Sequence, residues 1–432
     1  MSSATKTIWI INHYAVAPGG SGGTRHYDLA KQLISQGFRV HIFASAFGHQ
    51  TGTNRLTEND RGWYKEEVID GITFVWFKTT AYTSNSWRRV KNMLDFTYRC
   101  FRYGKSCAIK PDIVIGSLMH PLAAWLGARL AKRHQCIFYF EERDLWPQTL
   151  IDFGKVKEKH PIVWCLYRLE SYLYRKAKRI IVLFEKAPDY IEQRTGLGYK
   201  SIYLPNGVDI SRFSAGDRKL PASYDDFFER SHTDLVAVYT GSHGISDGLE
   251  LLLETARKLE QKQAKIRFLF VGEGPEKQRL VKLANEMGLN RVEFLPAIPK
   301  ESIPTLLNRS DFGLLAIKDA GVYKWGMSFN KFYDYMAASL PTMMVGSMED
   351  SIIERERIGA VGVSAEALAE QMLLLMNQKE ERIAMGIRAR RYVERMHEWG
   401  SLSKRLADVM REDLNELEPV QSASSYRKTI NM

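Results

Sequence analysis

Cysteine is scarce in this sequence of 432 residues, and long uncharged apolar runs are missing. The few cysteines have neither a CxxC pair nor a histidine-rich segment beside them: Cys100, Cys107, Cys136 and Cys165. This spacing argues against a zinc site and against a disulfide framework. No apolar segment of signal-peptide length opens the sequence, and no window reaches the roughly 18 apolar residues of a spanning helix. We therefore expect a cytoplasmic protein that does not cross a membrane.

Apolar runs of strand length alternate with amphipathic helical stretches throughout the sequence, and 45% of the residues are hydrophobic. This alternation predicts an α/β protein with a parallel, doubly wound sheet in each half. The turn-forming Pro-Asn-Gly within Leu204–Ile210 predicts the hinge between them. We therefore predict domains at 1–204 and 205–400, then a helix that returns to the first domain and a disordered tail within 401–432. Ligands of such sheets bind beyond the carboxyl ends of the strands, so the loops there are the candidate sites.

Positive charge is concentrated in the first half. Residues 1–200 hold 30 Lys and Arg against 17 Asp and Glu, whereas the remainder holds 31 against 33. The densest stretch, Tyr82–Lys110, interleaves seven basic residues with aromatic ones and contains one acid, Asp95. This pattern suits the headgroup region of an anionic membrane, but it also suits an ordinary amphipathic helix whose aromatic residues face the core. Because no recognition motif accompanies the charge, we expect no nucleic-acid partner.

The first candidate loop, Pro18–Gly23, is rich in glycine and precedes a predicted helix. We expect Gly20, Gly22 and Gly23 to let the backbone approach a phosphate or an acceptor, close to a helix N-terminus that favours anions. A plain flexible turn is the alternative. A dinucleotide fingerprint does not fit, since Arg25 stands at its third glycine position and no acid ends the next strand.

Two further loops carry polar residues directly after predicted strands. In Gly116–Pro121, His120 stands between a strand and a helix, where it can hydrogen-bond a ligand or serve as an ordinary cap. In Phe138–Pro147, four charged residues follow an apolar strand, among them Glu141 and Asp144. These carboxylates either contact substrate or pair with the arginine between them and fix the loop.

The fourth loop, Met327–Ala338, combines phosphate-binding and ribose-binding residue types. Asn330 and Lys331 fall at a predicted helix start, where amide groups and a full positive charge favour phosphate. Asp334 lies about one turn further on and is suited to accept hydrogen bonds from two ribose hydroxyls. The alternative is a plain amphipathic helix that is capped by Ser328.

These motifs resemble glycosyltransferase family 4, a retaining family with the GT-B fold. The most specific elements are Pro205–Asp209, Val271–Pro275 and Asn330–Pro341. Within the family, the sequence is most similar to L-fucosamine transferases of bacterial surface polysaccharides. These share Glu-x-Arg-Asp-x-Trp-Pro, here Glu141–Pro147, and a histidine–tyrosine segment, here Arg25–Tyr27. The resemblance implies two doubly wound domains that face a central cleft, with the acceptor on the first and a nucleotide-sugar donor on the second.

The sequence departs from the usual family pattern at the donor site. Of the two glutamates that the family separates by seven residues, the first is replaced by Gly326 and the second by Asp334. The usual diphosphate-clamping Arg and Lys are missing, and Asp247 occupies the place of the lysine. The implied compensation is Lys331 together with the amides near Ser242 and Gly244.

The resemblance assigns His120 to the family's first-domain histidine near the donor sugar. With no Asp-x-Asp signature in the sequence, we expect a metal-independent reaction without a cofactor, in which Lys331 stabilises the departing diphosphate. Arg25, Glu141 and Asp144 are the further candidate substrate-binding residues. The expected donor is a UDP-sugar, for example of an N-acetyl-amino or deoxy sugar. The expected acceptor is a glycan or a polyprenyl-diphosphate-linked glycan of O-antigen or exopolysaccharide synthesis, reached at the cytoplasmic face of the inner membrane.

Two alternatives stay open from the residues alone. A nucleotide-sugar epimerase of the same architecture needs an acid/base pair, for which Glu142 and His120 are candidates. A non-catalytic nucleotide-sugar-binding subunit is compatible with the missing first glutamate.

Overall fold

The structure, a computed structural model, describes residues 5–18, 23–49, 52–56, 60, 62–83, 87–214 and 218–417. Two sheets form the centres of two Rossmann-like domains, as the alternating pattern predicts. In the opening strand, Ile8 and Ile10 pack into one hydrophobic cluster, whereas Trp9 and Ile11 pack into another. Because successive side chains of a strand point to opposite faces, this continuous apolar run fits a sheet with both faces covered.

The first sheet has eight strands in the order β3-β4-β2-β1-β5-β6-β7-β8. Its strands are β1 Thr7–Ile11, β2 Arg39–Ser45, β3 Tyr64–Ile69, β4 Ile72–Phe77, β5 Ile113–Ser117, β6 Ile137–Glu142, β7 Arg179–Val182 and β8 Ser201–Tyr203. The helices that accompany them are α1 Arg25–Ser35, α2 Trp87–Ser106, α3 Pro121–His134, α4 Gln148–Asp152, α5 Pro161–Lys176 and α6 Ala187–Thr195.

The second sheet has six parallel strands in the order β11-β10-β9-β12-β13-β14. Its strands are β9 Leu235–Thr240, β10 Ile266–Val271, β11 Val292–Leu295, β12 Phe312–Ala316, β13 Thr342–Val345 and β14 Gly359–Gly362. The helices are α7 Ala222–Arg230, α8 Leu249–Gln261, α9 Lys277–Glu286, α10 Ile303–Asn308, α11 Asn330–Ala337, α12 Ile352–Arg355, α13 Ala365–Met376, α14 Lys379–Met396 and α15 Trp399–Leu417.

The first sheet is not wholly parallel, which corrects the sequence-based expectation. Strand β3 pairs with β4 in the antiparallel direction. The connection is the two-residue turn Asp70-Gly71, in which both residues have positive φ, 49° and 80°. An Asp-Gly pair between two apolar segments favours such a hairpin turn. After the hinge, the first α-helix of the second domain is α7, which begins at Ala222.

The last described helix, α15, packs on the first domain although it follows the second in the chain. Its apolar face joins the cluster around Ile8 and Ile10, through Trp399, Leu402, Leu406, Ala407, Met410 and Leu414. At the hinge, a Cβ atom on Gly207 would lie 2.7 Å from the Trp399 ring, so only glycine fits this close approach. The tail predicted beyond Leu417 lies outside the described residues.

Candidate active site between the domains

A cleft opens between the two domains. The first domain contributes Gly23 and Thr24 from the segment before α1, and the second contributes Asn330 and Asp334 from α11. Across the gap, Lys300 Nζ donates a hydrogen bond of 2.8 Å to Thr24 Oγ1. The cleft therefore lies beyond the carboxyl end of β1, where ligands of doubly wound sheets bind.

Helix α11 begins without a side-chain cap. Its N-cap residue is Phe329, which makes no side-chain hydrogen bond to the helix. The alternative in which Ser328 caps this helix is therefore wrong. The Ser328 hydroxyl instead accepts hydrogen bonds from the Asn206 amide at 3.0 Å and from the Tyr333 hydroxyl at 3.2 Å. The first amides of the helix, from Asn330 onward, are consequently not covered by a capping side chain, as an anion site requires.

Asp334 lies one turn after Asn330, and both line the cleft. Burial raises the pKa of Asp334 above its usual value, while the positive charges of Arg212 and Lys300 lower it. Arg212 and Lys300 line the same cleft. A carboxylate held between these two cations can accept hydrogen bonds from hydroxyl groups of a ligand.

Lys331 turns from the same helix start toward the loop after β9. Its ammonium donates hydrogen bonds to the Tyr239 hydroxyl and, over 3.1 Å, to Asp247 Oδ1. Burial lowers the pKa of Lys331, whereas Asp247 opposes that shift. The predicted loop residues join this cluster: the Ser242 carbonyl accepts from Tyr239 at 2.7 Å, and the Gly244 amide donates to Asp247 at 3.1 Å. Lys331, Ser242 and Gly244 are thus brought together through Tyr239 and Asp247.

The motif Val271–Pro275 is explained by close contact between two loops. A Cβ atom on Gly272 would lie 1.8 Å from the Gly241 carbonyl oxygen, and one on Gly274 would lie 2.4 Å from that of His243. Both distances are shorter than any real contact of this type. The glycines therefore allow the loops after β9 and β10 to touch and to stand beside Lys331.

Of the predicted glycine loop, Gly20 and Gly22 lie outside the described residues. Gly23 is described, and a Cβ atom placed on it would be 3.5 Å from the Asn330 side-chain amide. The end of the loop thus meets the start of α11 across the cleft.

Arg25 and Glu141 form a buried ion pair, with 2% and 1% of their side chains exposed. Arg25 Nε donates to Glu141 over 2.8 Å, and its terminal nitrogens donate to the Leu204 and Pro205 carbonyls at the hinge. His26 Nε2 lies 2.6 Å from the other oxygen of Glu141. Burial alone would raise the pKa of Glu141, but His26 and Arg25 hold it well below its usual value. The pair therefore ties α1 and β6 to the hinge.

His120 is buried and pairs with another histidine. Its Nε2 lies 2.7 Å from Nδ1 of His13, whose ring stacks on Phe96. Burial, assisted by the charge of Arg89, lowers the pKa of His120 to about 3. Burial, and then the charge of His120, likewise lower the pKa of His13 well below its usual value. The sequence reasoning missed His13, although it follows β1 just as His120 follows β5, and these strands are neighbours in the sheet.

The two remaining carboxylates at the end of β6, Glu142 and Asp144, lie in different surroundings. Asp144 is exposed and is not among the residues that line the cleft. Glu142 is buried and accepts a hydrogen bond from the Tyr174 hydroxyl, beside Glu170. Burial, together with the charge of Glu170, raises the pKa of Glu142 well above its usual value. Glu142 thus pairs with Tyr174 and His120 with His13, which weakens the acid/base pair that an epimerase needs.

A metal site and a membrane-spanning helix each have structural requirements, which the described residues do not meet. Across the described ranges, no group of three or more His, Cys, Asp or Glu side chains is placed to hold a metal ion. In that same part of the chain, no helix has both the length and the apolar character to cross a bilayer.

The fold and the cleft define a class of protein that comparison with solved structures identifies as GT-B. Sucrose-phosphate synthase from Thermosynechococcus elongatus matches with a TM-score of 0.73 at 15% identity, over 95% of this chain and 100% of that chain. Anabaena HepE in complex with UDP-glucose matches with a TM-score of 0.65 at 12% identity, over 94% and 99%. At such identities these matches establish the fold.

Two family models place the chain more narrowly. The model described as Glycosyltransferase Family 4 matches residues 20–212, and the one described as Glycosyl transferases group 1 matches residues 224–392. Together the two models support a family 4 glycosyltransferase with the GT-B fold.

A curated relative is similar over part of its length. The colanic acid biosynthesis glycosyl transferase WcaI of Escherichia coli K12 is 27% identical over 233 residues, which is 50% of this chain and 51% of that protein. This chain spans about half the length of the curated relatives that it matches.

Proposed function

We propose that the protein is a retaining, metal-independent glycosyltransferase that moves a sugar from a UDP-sugar to a glycan or polyprenyl-diphosphate-linked acceptor in bacterial surface polysaccharide synthesis. The proposal rests on one observation: the uncapped start of α11 and Asp334 face a cleft between two domains, with Lys331 beside them. The bound UDP-glucose of the similar Anabaena structure supports the donor class. The name of the E. coli relative, for colanic acid biosynthesis, supports the acceptor class.

The donor diphosphate is expected at the start of α11, facing Gly23. Amides at a helix N-terminus and a lysine ammonium both stabilise an anion, and charge grows on the β-phosphate as the nucleoside diphosphate departs. Lys331 supplies that charge from within its cluster with Tyr239 and Asp247. This arrangement does the electrostatic work of a divalent cation, so we propose that none is required.

Asp334 is proposed to hold the ribose, because its carboxylate can accept hydrogen bonds from both hydroxyls. His120, whose neutral ring is fixed by His13, is proposed to orient the donor sugar by a hydrogen bond rather than by charge. Glu141 is bound to Arg25, and Glu142 to Tyr174. Since Arg25 and Tyr174 each hold one of these carboxylates, we propose front-face transfer with retention and without a covalent intermediate.

The ribose contact gives the most direct test. Calorimetric titration should show that the wild type binds UDP more tightly than 2′-deoxy-UDP, by roughly tenfold or more, since a hydrogen bond to a charged group contributes about 1.5–3 kcal/mol. Asp334→Asn should bind UDP more weakly and lose most of that discrimination. The control is Asp226→Asn, at an exposed acid on α7. Full discrimination in Asp334→Asn would remove Asp334 from the ribose site.

Activity then separates the proposed reaction from its alternatives. Radiolabelled sugar recovered on extracted lipid or glycan supports transfer. Conversion of the donor sugar into its epimer, in a reaction without acceptor, identifies an epimerase. Lys331→Ala should lose turnover with little change in UDP-sugar affinity, because its charge acts mainly as the diphosphate leaves. An unchanged turnover number would exclude Lys331 from the mechanism. Added chelator should leave the rate unchanged, and a rate restored only by Mg²⁺ or Mn²⁺ would refute the metal-independent proposal.

A further inference from the structure

Helix α2 presents two different faces. Its inward face buries Asn92, Phe96, Cys100 and Gly104, spaced four residues apart. Its outward face exposes large apolar side chains at helical spacing: Trp87 (71% exposed), Val90 (56%), Leu94 (53%), Tyr98 (66%) and Phe101 (36%). An amphipathic helix of a water-facing surface would carry polar residues there. The aromatic residues of α2 therefore do not all face the core, as one interpretation of the sequence supposed.

The charges on this outward face all have one sign. The exposed residues between the apolar ones include four cations: Arg88, Lys91, Arg102 and Lys105. Asp95, the single acid in α2, is half-buried, and its carboxylate accepts hydrogen bonds from the amide and hydroxyl of Thr80 at 2.9 Å and 2.5 Å. We call these five apolar and four basic residues the outer face of α2.

Neighbouring helices extend the same pattern. Helix α3 packs against both α2 and α5. It exposes Trp125 with Arg129 at 5.6 Å from the ring, and α5 exposes Trp164 with Arg168 at 4.6 Å. Together α2, α3 and α5 contain twelve Lys and Arg against two acids, Asp95 and the buried Glu170. This layer thus combines exposed tryptophan with uniform positive charge.

We propose that the layer formed by α2, α3 and α5 is a docking surface for a membrane that contains anionic phospholipid. Tryptophan and tyrosine are favoured at the boundary between headgroups and acyl chains, and an amphipathic helix can insert its apolar face there. Lysine and arginine beside them are attracted to lipid phosphates. A single-sign charge spread over three helices matches a continuous charged sheet of lipid better than a protein partner, which would present both signs.

The same helix also contacts the histidines beyond the ends of β1 and β5, since Phe96 stacks on His13 and meets His120 edge to face. Arg89, in the first turn of α2, is close enough to His49 and His120 that its charge, after burial, lowers their pKa values. A protein docked through the outer face of α2 would therefore hold this histidine cluster near the lipid surface. Docking itself is independent of the proposed reaction, since vesicle binding requires no turnover.

The test is co-sedimentation of the full chain with vesicles. Vesicles that contain phosphatidylglycerol should pull the protein down, vesicles of phosphatidylcholine alone should do so far less, and high salt should weaken the binding. Lys91→Gln with Arg102→Gln should lower the partition coefficient roughly 30-fold, about 1 kcal/mol for each charge. Leu94→Ser with Tyr98→Ser should lower it at least tenfold by removing inserted apolar area. The matched control is Val363→Ser, at an exposed apolar residue of the second domain (75% exposed).

All substituted residues are exposed, so each variant should fold. Circular dichroism melts check that it does. The proposal would be overturned if both double variants bound phosphatidylglycerol vesicles as strongly as the wild type. Equal binding to phosphatidylcholine alone would also overturn it. The wild type could instead self-associate without vesicles, and Leu94→Ser with Tyr98→Ser could abolish this association. That result would overturn the proposal and assign the surface to a second copy of the chain. Because these measurements use no sugar donor, their failure would leave the proposed transfer reaction untouched.

Discussion

Lys331 and Asp247 form a half-buried ion pair across 3.1 Å, with 16% and 24% of their side chains exposed. The carboxylate also accepts the Gly244 amide hydrogen bond. Asp247 thus accepts hydrogen bonds from an ammonium and a backbone amide, which are the groups that a phosphate would use. A nucleoside diphosphate that binds here must compete with this carboxylate for Lys331.

Removing that competition should strengthen product-like binding. Asp247→Asn should bind UDP roughly tenfold more tightly than the wild type in calorimetric titrations, because Lys331 is then no longer neutralised. The gain for a UDP-sugar should be smaller, since its β-phosphate carries less negative charge. The gain should vanish in Asp247→Asn with Lys331→Met. Weaker UDP binding by Asp247→Asn would mean that the carboxylate positions Lys331 rather than competes for it.

The contact between the loops after β9 and β10 should not tolerate a methyl group. Gly274→Ala places its Cβ atom 2.4 Å from the His243 carbonyl oxygen, so the loops must separate. Such overpacking typically destabilises by about 1–3 kcal/mol. We expect a melting temperature lowered by several degrees and weaker UDP binding, measured by scanning calorimetry and titration. A variant with unchanged values for both would show that the loops are free to move apart.

The buried pair of Arg25 and Glu141 should make stability depend on pH. Glu141→Gln leaves a buried guanidinium without its anion, and breaking such pairs costs about 3–5 kcal/mol at pH 7. Because the folded-state pKa of Glu141 is lowered from 4.5, its contribution is present above pH 4.5 and is lost as the pH falls below it. Urea unfolding should therefore show a difference between wild type and variant that shrinks on acidification. A constant difference would contradict this assignment.

His41, in β2, offers a prediction in the opposite direction. It is 2% exposed, and within the described part of the chain neither ring nitrogen has a hydrogen-bond partner. His41→Leu should raise the free energy of unfolding by about 1–3 kcal/mol, because a desolvated polar group is removed. Burial lowers the pKa of His41 from 6.5, so the wild type loses stability as the pH falls below 6.5. The variant should not show this contribution to the loss of stability.

The control for this experiment is His232→Leu, at an exposed histidine that should affect neither the stability nor its pH dependence. Urea unfolding at pH 7.5 and pH 5.5 provides the comparison. Destabilisation by His41→Leu would mean that the ring makes a contact that its burial does not reveal.

Local pattern was enough to predict the two doubly wound sheets and the helix that begins at Asn330. Each depends on residues close in sequence: apolar runs such as β1, and phosphate-binding residue types ahead of an amphipathic segment. The β3–β4 hairpin was missed, although Asp70-Gly71 carries a turn signal that a search for parallel strands overlooks.

The pairings inside the site could not be predicted in this way. Lys331 meets Asp247 over a separation of 84 residues, and Arg25 meets Glu141 over 116. Nothing in the local pattern distinguishes a charged residue that awaits a ligand from one that is paired by the fold. The exposed side of α2 was equally ambiguous, because helical periodicity indicates that two faces exist but not which one the sheet covers.

Helix α15 has a consequence for how the protein is made. Its apolar side covers the strand that contains Ile8 and Ile10, nearly four hundred positions earlier in the chain, which places both ends of the described chain in one core. Domains generally fold during synthesis in the order in which they emerge. Here the earlier domain remains uncovered on that side until residues 399–417 have left the ribosome, so the later domain can complete its core first.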